Sequence, residues 1–130
     1  MNGHPLRDAA VIDRLRADLA DADYTSDGVG RLLGDAANDA LGRGIWWPAL
    51  QRTRPAEAAR SPLGTLVRLF LLGAEEPESA VAQAFPRVGV EALLSSGVIE
   101  RTTTGALRAV LDIRPHADDV RDYLVISDQD

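Results

Sequence analysis

The sequence predicts a mainly α-helical protein with a small β-hairpin, in which a cluster of short helices precedes a winged-helix-like unit. Apolar residues recur at helical spacing through residue 96, in short segments separated by glycine and proline. Beyond Gly97 the pattern changes to alternation over two short stretches joined by a polar turn, which is typical of a hairpin. Three helices followed by a hairpin are the arrangement expected of a winged helix.

Residues 1–60 are predicted to form the helical subdomain. Ile12, Leu15 and Leu19 share one face of the first helix. Side-chain oxygens within residues 24–27 are expected to cap the second helix, and Asp35 is expected to cap the third. The predicted helices cover residues 5–22, a segment ending near Gly34, residues 35–41 and residues 48–52, and residues 54–61 form a polar connection.

Residues 61–117 are predicted to form the winged-helix-like subdomain. Ser61 and Pro62 resemble an N-cap and a first-turn proline, so a helix is expected from there to Leu72. Residues 118–130 are expected to be an acidic linker or a final strand over 123–126. The other predicted elements are helices over 77–85 and 88–96, strands over 98–101 and 107–113, and a turn over 102–105.

Composition excludes several function classes. The 130 residues suffice for one compact domain or for two small subdomains that share a core. The chain has no cysteine, so it has no disulfide, thiolate nucleophile or Cys-ligated metal. All 14 basic residues are arginine, and the net charge of −6 argues against strong electrostatic attraction to nucleic acid. Without a signal pattern or a membrane-spanning stretch, we expect a cytoplasmic protein that does not contact a membrane.

Two motifs that resemble ligand sites are interpreted as structural. Residues 28–34 contain three glycines, but no apolar strand precedes them, so helix punctuation is expected and not a cofactor loop. His116, Asp118 and Asp119 are expected on a solvated loop and not around a cation. We therefore predict no catalytic, cofactor-binding or metal-binding residue in this chain.

Three arginines are the candidate substrate contacts: Arg101, Arg108 and Arg114. The alternative is that they form surface ion pairs at strand edges. Sequence-specific DNA binding is not favoured, because the predicted third helix offers few side chains that read base edges. Trp46 and Trp47 are adjacent, so one is expected in the core, while the other covers the joint between the helical groups or faces a partner.

Three segments are distinctive: YTSDGV at 24–29, SPLGTLVRLFLLG at 61–73 and LRAVLDIRP at 107–115. They resemble the N-terminal domain of actinobacterial class I SAM-dependent methyltransferases, which are similar to the enzymes that methylate release-factor glutamine or ribosomal RNA bases. The resemblance spans residues 15–128. His116 departs from it, because a tyrosine is expected at that position.

The resemblance implies a two-part enzyme, in which a catalytic domain holds SAM in a glycine-rich loop and the target nitrogen near an Asn-Pro-Pro-Tyr motif. Neither motif occurs in this sequence. The expected function is therefore a non-catalytic accessory domain that positions a substrate, with SAM held outside this chain. The implied partners are the catalytic domain and a protein or RNA substrate, while the methyl acceptor stays open. The alternative function is a stand-alone winged-helix regulator or protein-interaction module.

Overall fold

The computed structural model describes residues 9–54 and 61–128, and about half of them are helical. The described strands form two small antiparallel hairpins, which confirms the predicted class of mainly α with a small β part. Residues 5–8 of the first predicted helix and residues 55–60 of the predicted connection lie outside the described residues. The helices are α1 (Ala9–Asp21), α2 (Ser26–Leu33), α3 (Asp35–Gly42), α4 (Trp47–Arg52), α5 (Pro62–Leu66), a π turn (Val67–Leu71), α6 (Glu78–Ala84) and α7 (Val90–Ser95). The strands are β1 (Ile99–Arg101), β2 (Leu107–Ala109), β3 (Leu111–Ala117) and β4 (Asp122–Asp128).

Two of the predicted helix caps are confirmed. Thr25 Oγ1 accepts a hydrogen bond of 2.9 Å from the Gly28 amide, and Ser61 Oγ accepts one of 3.0 Å from the Gly64 amide. The predicted cap at Asp35 is wrong, because Gly34 occupies the N-cap position with φ +82° and makes no side-chain cap. Asp35 is instead the first residue of α3, where its carboxylate lies beside the positive end of the helix dipole.

The helix predicted from Ser61 to Leu72 changes geometry partway along. It begins as α5 and continues as the π turn, in which the Leu72 amide donates to the Val67 carbonyl at 3.1 Å. This wide turn places Arg68 against Glu76, with 2.9 Å between Nε and Oε2. Both side chains are largely buried, so this ion pair fixes the helix to the segment that follows it.

One hydrophobic core joins both predicted subdomains within the described residues. Leu15, Leu19 and Leu33 from the first half belong to the same buried cluster as Phe70 and Phe85 from the second. The two phenylalanine rings meet edge to face with 6.2 Å between centroids. Burial of each large apolar side chain contributes roughly 1.5–3 kcal/mol, so the two halves stabilise each other.

The predicted strand over 107–113 is two strands that pair with different partners. β2 pairs with β1, while β3 pairs with β4 over the full length of both strands. Between them, the Val110 amide donates to the Val98 carbonyl at 2.8 Å. Of the two alternatives for residues 118–130, the structure has the final strand, which is longer than the predicted 123–126.

The carboxylate of Asp18 connects α1 to the turn that precedes α7. It is fully buried and accepts hydrogen bonds from the amides of Arg87 at 3.1 Å and Val88 at 3.0 Å. The Arg87 guanidinium lies 3.3 Å from Asp18 and 2.5 Å from Asp21. A single acidic residue therefore satisfies backbone donors about 70 positions away in the sequence.

Candidate functional site

The three predicted substrate-contact arginines all take part in ion pairs. Each side chain is about half exposed, and such pairs contribute about 0–1 kcal/mol, so exchange for another anion costs little. The alternative interpretation, that these arginines form surface ion pairs, describes the observed contacts. The pairs are Arg101 with Glu78 at 2.8 Å, Arg108 with Glu100 at 2.5 Å, and Arg114 with Asp112 at 2.8 Å.

The arginines do not share one surface. Arg108 stands opposite Glu100, whereas Arg101 stands opposite Leu107 in the next register position. Successive residues of a strand face opposite sides, so Arg101 and Arg108 project from different faces of the first hairpin. Arg114 belongs to β3 in the second hairpin. The structure therefore separates Arg114 from the other two and places it beside the N-terminal helices.

Arg114 lines a cleft of about 400 Å³ between α2, α3 and β3, which we call the Arg114 cleft. Ser26 comes from α2, Asn38 and Asp39 come from α3, and Arg114 and His116 share one face of β3. These side chains combine a cation, a carboxylate, a hydroxyl and an amide. The cleft is therefore suited to binding a polar group by several hydrogen bonds, with Arg114 favouring one that carries negative charge.

His116 lies in β3 and not on the loop that the sequence predicted. Its ring stacks on Tyr123 of β4 with 5.6 Å between centroids and an interplanar angle of 18°. This contact holds the imidazole beside the cleft.

Asp118 forms the turn between β3 and β4. Its carboxylate accepts hydrogen bonds from the amides of Val120 at 2.8 Å and Arg121 at 2.9 Å, and these bonds lower the pKa of Asp118. Among residues 9–54 and 61–128, no group of three or more His, Asp or Glu side chains lies close enough to hold a metal ion.

The glycine segment at residues 28–34 forms α2 and its C-terminus. Gly28 and Gly30 lie inside the helix, and Gly34 ends it with φ +82°. A Cβ on Gly28 would lie 2.0 Å from the Asp23 carbonyl oxygen, so this glycine permits close packing of the turn against the helix. The Gly28 amide donates to Thr25 Oγ1 and the Gly34 amide donates to the Gly30 carbonyl, so these two glycine amides are already used within the protein.

The expectation that Trp46 or Trp47 is buried is wrong. Trp46 is 56% exposed, Trp47 is 57% exposed, and the preceding Ile45 is 41% exposed. Ala49, in the first turn of α4, takes the inward position and is fully buried. We call the three exposed side chains the tryptophan patch. Nothing in the local sequence distinguishes these tryptophans from core residues.

None of the helices in the described part of the chain is long and apolar enough to cross a membrane. The chain belongs to the family described as Domain of unknown function (DUF7059), whose model matches residues 21–110. That range begins at the end of α1 and includes both the π turn and the first hairpin. Comparisons with curated proteins and with solved structures give no match.

Proposed function

We propose that this chain is a non-catalytic accessory domain of a SAM-dependent methyltransferase, which positions the substrate for a catalytic domain outside these 130 residues. One observation carries the proposal: the three segments that resemble such enzymes all line the Arg114 cleft. Ser26 and Val29 belong to the first segment, Leu71 to the second, and Arg114 and Pro115 to the third.

The same three segments are held together below the cleft. The Tyr24 hydroxyl of the first segment donates a buried hydrogen bond to the Ile113 carbonyl of the third. The Tyr24 ring also packs against Phe70 of the second segment, with 6.2 Å between centroids. Residues that carry the resemblance thus support a surface as well as a core, which is what a substrate-positioning domain requires.

In this proposal Arg114 contacts the substrate inside the cleft. Arg101 and Arg108 are candidate contacts outside it, on the two faces of the first hairpin. The substrate is a protein or an RNA, since both present anionic or amide groups that suit the cleft. SAM supplies the methyl group from the catalytic domain, and no residue of this chain takes part in that transfer.

The first experiment is to read the natural gene beyond the codon for Asp130. A continuation into a strand, a glycine-rich loop and Asn-Pro-Pro-Tyr is expected. The full protein is then assayed for methyl transfer from radiolabelled SAM to ribosomes and to purified release factors. A gene that ends at Asp130 would refute the proposal.

Arg114→Ala in the full protein tests the role of the cleft. Loss of one charge-assisted contact of about 1.5–3 kcal/mol should raise KM roughly 10–100-fold, while kcat changes little. Arg31→Ala is the matched control, because Arg31 also forms an exposed ion pair but is not a candidate substrate contact and does not line the cleft. Unchanged transfer after replacement of all three arginines by alanine would refute their assignment as substrate contacts.

We also propose that residues 62–109 form a winged helix. The supporting observation is the isolated bridge between Glu76 and Leu107, in which each amide donates to the other carbonyl at 2.8 Å. This bridge places Glu76 beside β2, between the π turn and α6. A winged helix has a short strand at that point in the order of its elements, followed by two helices and a hairpin.

The winged-helix order favours the second candidate function, a stand-alone regulator or interaction module. Under that function, α7 is the helix that would enter a DNA groove, and it presents the acidic Glu91. Arg87, just before it, is paired with Asp18 and Asp21. A gel shift with random DNA at low salt tests it, since a DNA-binding regulator binds and then loses affinity as salt rises.

A further inference from the structure

The tryptophan patch combines large exposed apolar side chains with an adjacent recess. Trp47 and Pro48 form one wall of a recess of about 500 Å³, and Leu33 and Ala37 contribute to the rest of its lining. Trp46 and Ile45 extend the apolar surface beyond the recess. Exposed tryptophans beside an apolar recess are typical of protein-binding surfaces, where tryptophan is among the residues that contribute most to affinity.

The segment that carries the patch is basic, although the chain as a whole is acidic. Residues 40–54 contain Arg43, Arg52 and Arg54 and no acidic residue, whereas the whole chain has a net charge of −6. All three arginines are exposed. Arg52 uses its Nε to donate to the Leu33 carbonyl at 3.2 Å, which holds it at the recess. Asp35 is the acidic residue that lines the recess.

The size and charge of the patch decide between occupants. The two half-exposed tryptophans present roughly 250 Å² together, well below the roughly 800 Å² per partner of a stable dimer or the 600 Å² or more of a domain interface. A second copy would also bring another net charge of −6. A short segment with apolar anchors and acidic flanks fits both the area and the local charge.

We infer that the tryptophan patch is a docking site for a short acidic, amphipathic segment of a separate protein. One apolar side chain of that segment enters the recess beside Trp47, and a second packs on Trp46. Its carboxylates face Arg43 and Arg52. This inference does not depend on the methyltransferase proposal, because the recess and the Arg114 cleft share no lining residue.

The test is selection from a random dodecapeptide phage library on the immobilised chain. The chain has no lysine, so amine coupling attaches it through the N-terminus and leaves the patch accessible. Enriched peptides should combine at least two apolar anchors with net negative charge. A synthetic peptide of the enriched sequence should shift the fluorescence of the protein, whose only tryptophans are Trp46 and Trp47, and should protect it from acrylamide quenching.

Three variants complete the test. The double variant Trp46→Ser with Trp47→Ser should weaken peptide binding at least tenfold. The double variant Arg43→Glu with Arg52→Glu should also weaken binding, and its loss relative to the wild type should grow as the salt concentration is lowered. Val120→Ser is the matched control, because Val120 is 89% exposed and does not line the recess. It should bind as the wild type does. Circular dichroism of each variant verifies that the fold is retained.

Several results would overturn the inference. One is the absence of enrichment relative to the double tryptophan variant, and another is enrichment of neutral or basic peptides. Binding of a labelled uridine decamer that the double variant loses would assign the patch to single-stranded RNA. Sedimentation that shows a dimer in the wild type but not in the double variant would assign it to a second copy of the chain.

Discussion

Replacement of Asp18 by alanine should be among the most destabilising changes to this chain. The Asp18 carboxylate is fully buried and accepts hydrogen bonds from the amides of Arg87 and Val88. Alanine leaves both amides without that acceptor, and the Val88 bond is in a buried position. The cost of removing an acceptor from a buried donor includes the desolvation of that donor.

The expected magnitude follows from these contacts. A hydrogen bond to a charged group contributes about 1.5–3 kcal/mol, so two of them give a loss of about 3–6 kcal/mol in the free energy of unfolding. The contact with the Arg87 side chain adds little, because that guanidinium is half exposed and also pairs with Asp21. The loss would be a large share of the roughly 5–15 kcal/mol that stabilises a domain.

Urea denaturation followed by far-UV circular dichroism measures this loss. Asp21→Ala is the matched control, since Asp21 pairs with the same arginine but is 62% exposed, and it should cost less than about 1 kcal/mol. Asp18→Asn keeps one acceptor oxygen and should give an intermediate value. Equal effects of Asp18→Ala and Asp21→Ala would show that the backbone contacts of Asp18 contribute nothing.

Three further predictions concern buried contacts, and the same urea assay measures all of them. Burial, with a smaller effect of Asp112, raises the pKa of Tyr24, so the contribution of Tyr24 to stability is complete below about pH 10 and is lost as pH rises above that value. Tyr24→Phe should cost about 1–2 kcal/mol at pH 7 and should flatten the decline in the free energy of unfolding above pH 10. An unchanged decline in this variant would contradict the prediction. Gly28→Ala should cost about 1–3 kcal/mol, because the added Cβ would clash with a backbone oxygen. The control Gly30→Ala, whose Cβ would lie 3.5 Å from its nearest neighbour, should be neutral or stabilising by up to about 1 kcal/mol. Equal effects of the two substitutions would rule out the clash. Glu76→Ala should cost about 3–5 kcal/mol, because it leaves the largely buried Arg68 without its carboxylate partner. Glu100→Ala removes one partner of an exposed pair and should cost less than about 1 kcal/mol. A similarly small loss for Glu76→Ala would contradict the prediction.

Features that depend on neighbouring residues were predictable from the sequence. Thr25 and Ser61 cap their helices because a side-chain oxygen three residues before a free amide needs no help from distant parts of the chain. The end of α2 at Gly34 follows equally from the ease with which glycine adopts positive φ. These local rules account for the starts of α2 and α5 and for the end of α2.

Features that depend on tertiary contacts were not predictable. Apolar residues recur at every second position from Leu107 to Ile113, so the sequence does not indicate that the strand changes partner at Val110. Tryptophan is a residue type that is usually largely buried, but Trp46 and Trp47 are exposed and Ala49 packs inward in their place. For the strand, the deciding contacts are with β4 and with the Val98 carbonyl, which no pattern around Val110 indicates.

The candidate site was predicted only in part. Arg114 was among the predicted contact residues, but Ser26 and Asn38, which line the same cleft, were not. They come to β3 because Tyr24 fixes the start of α2 to the Ile113 carbonyl, 89 positions away. No local pattern around Ser26 or Asn38 marks them as site residues.

The π turn at Val67–Leu71 has a consequence for the history of the family. Its hydrogen bond from Leu72 to Val67 spans one residue more than an α-helical bond, as expected when one residue is inserted into an existing helix. Removing that residue would rotate the side chains on one side of the deletion by about 100° relative to the other. Arg68 would then no longer face Glu76. Family members with a one-residue gap in this helix are therefore expected to lack the acidic residue at the position of Glu76.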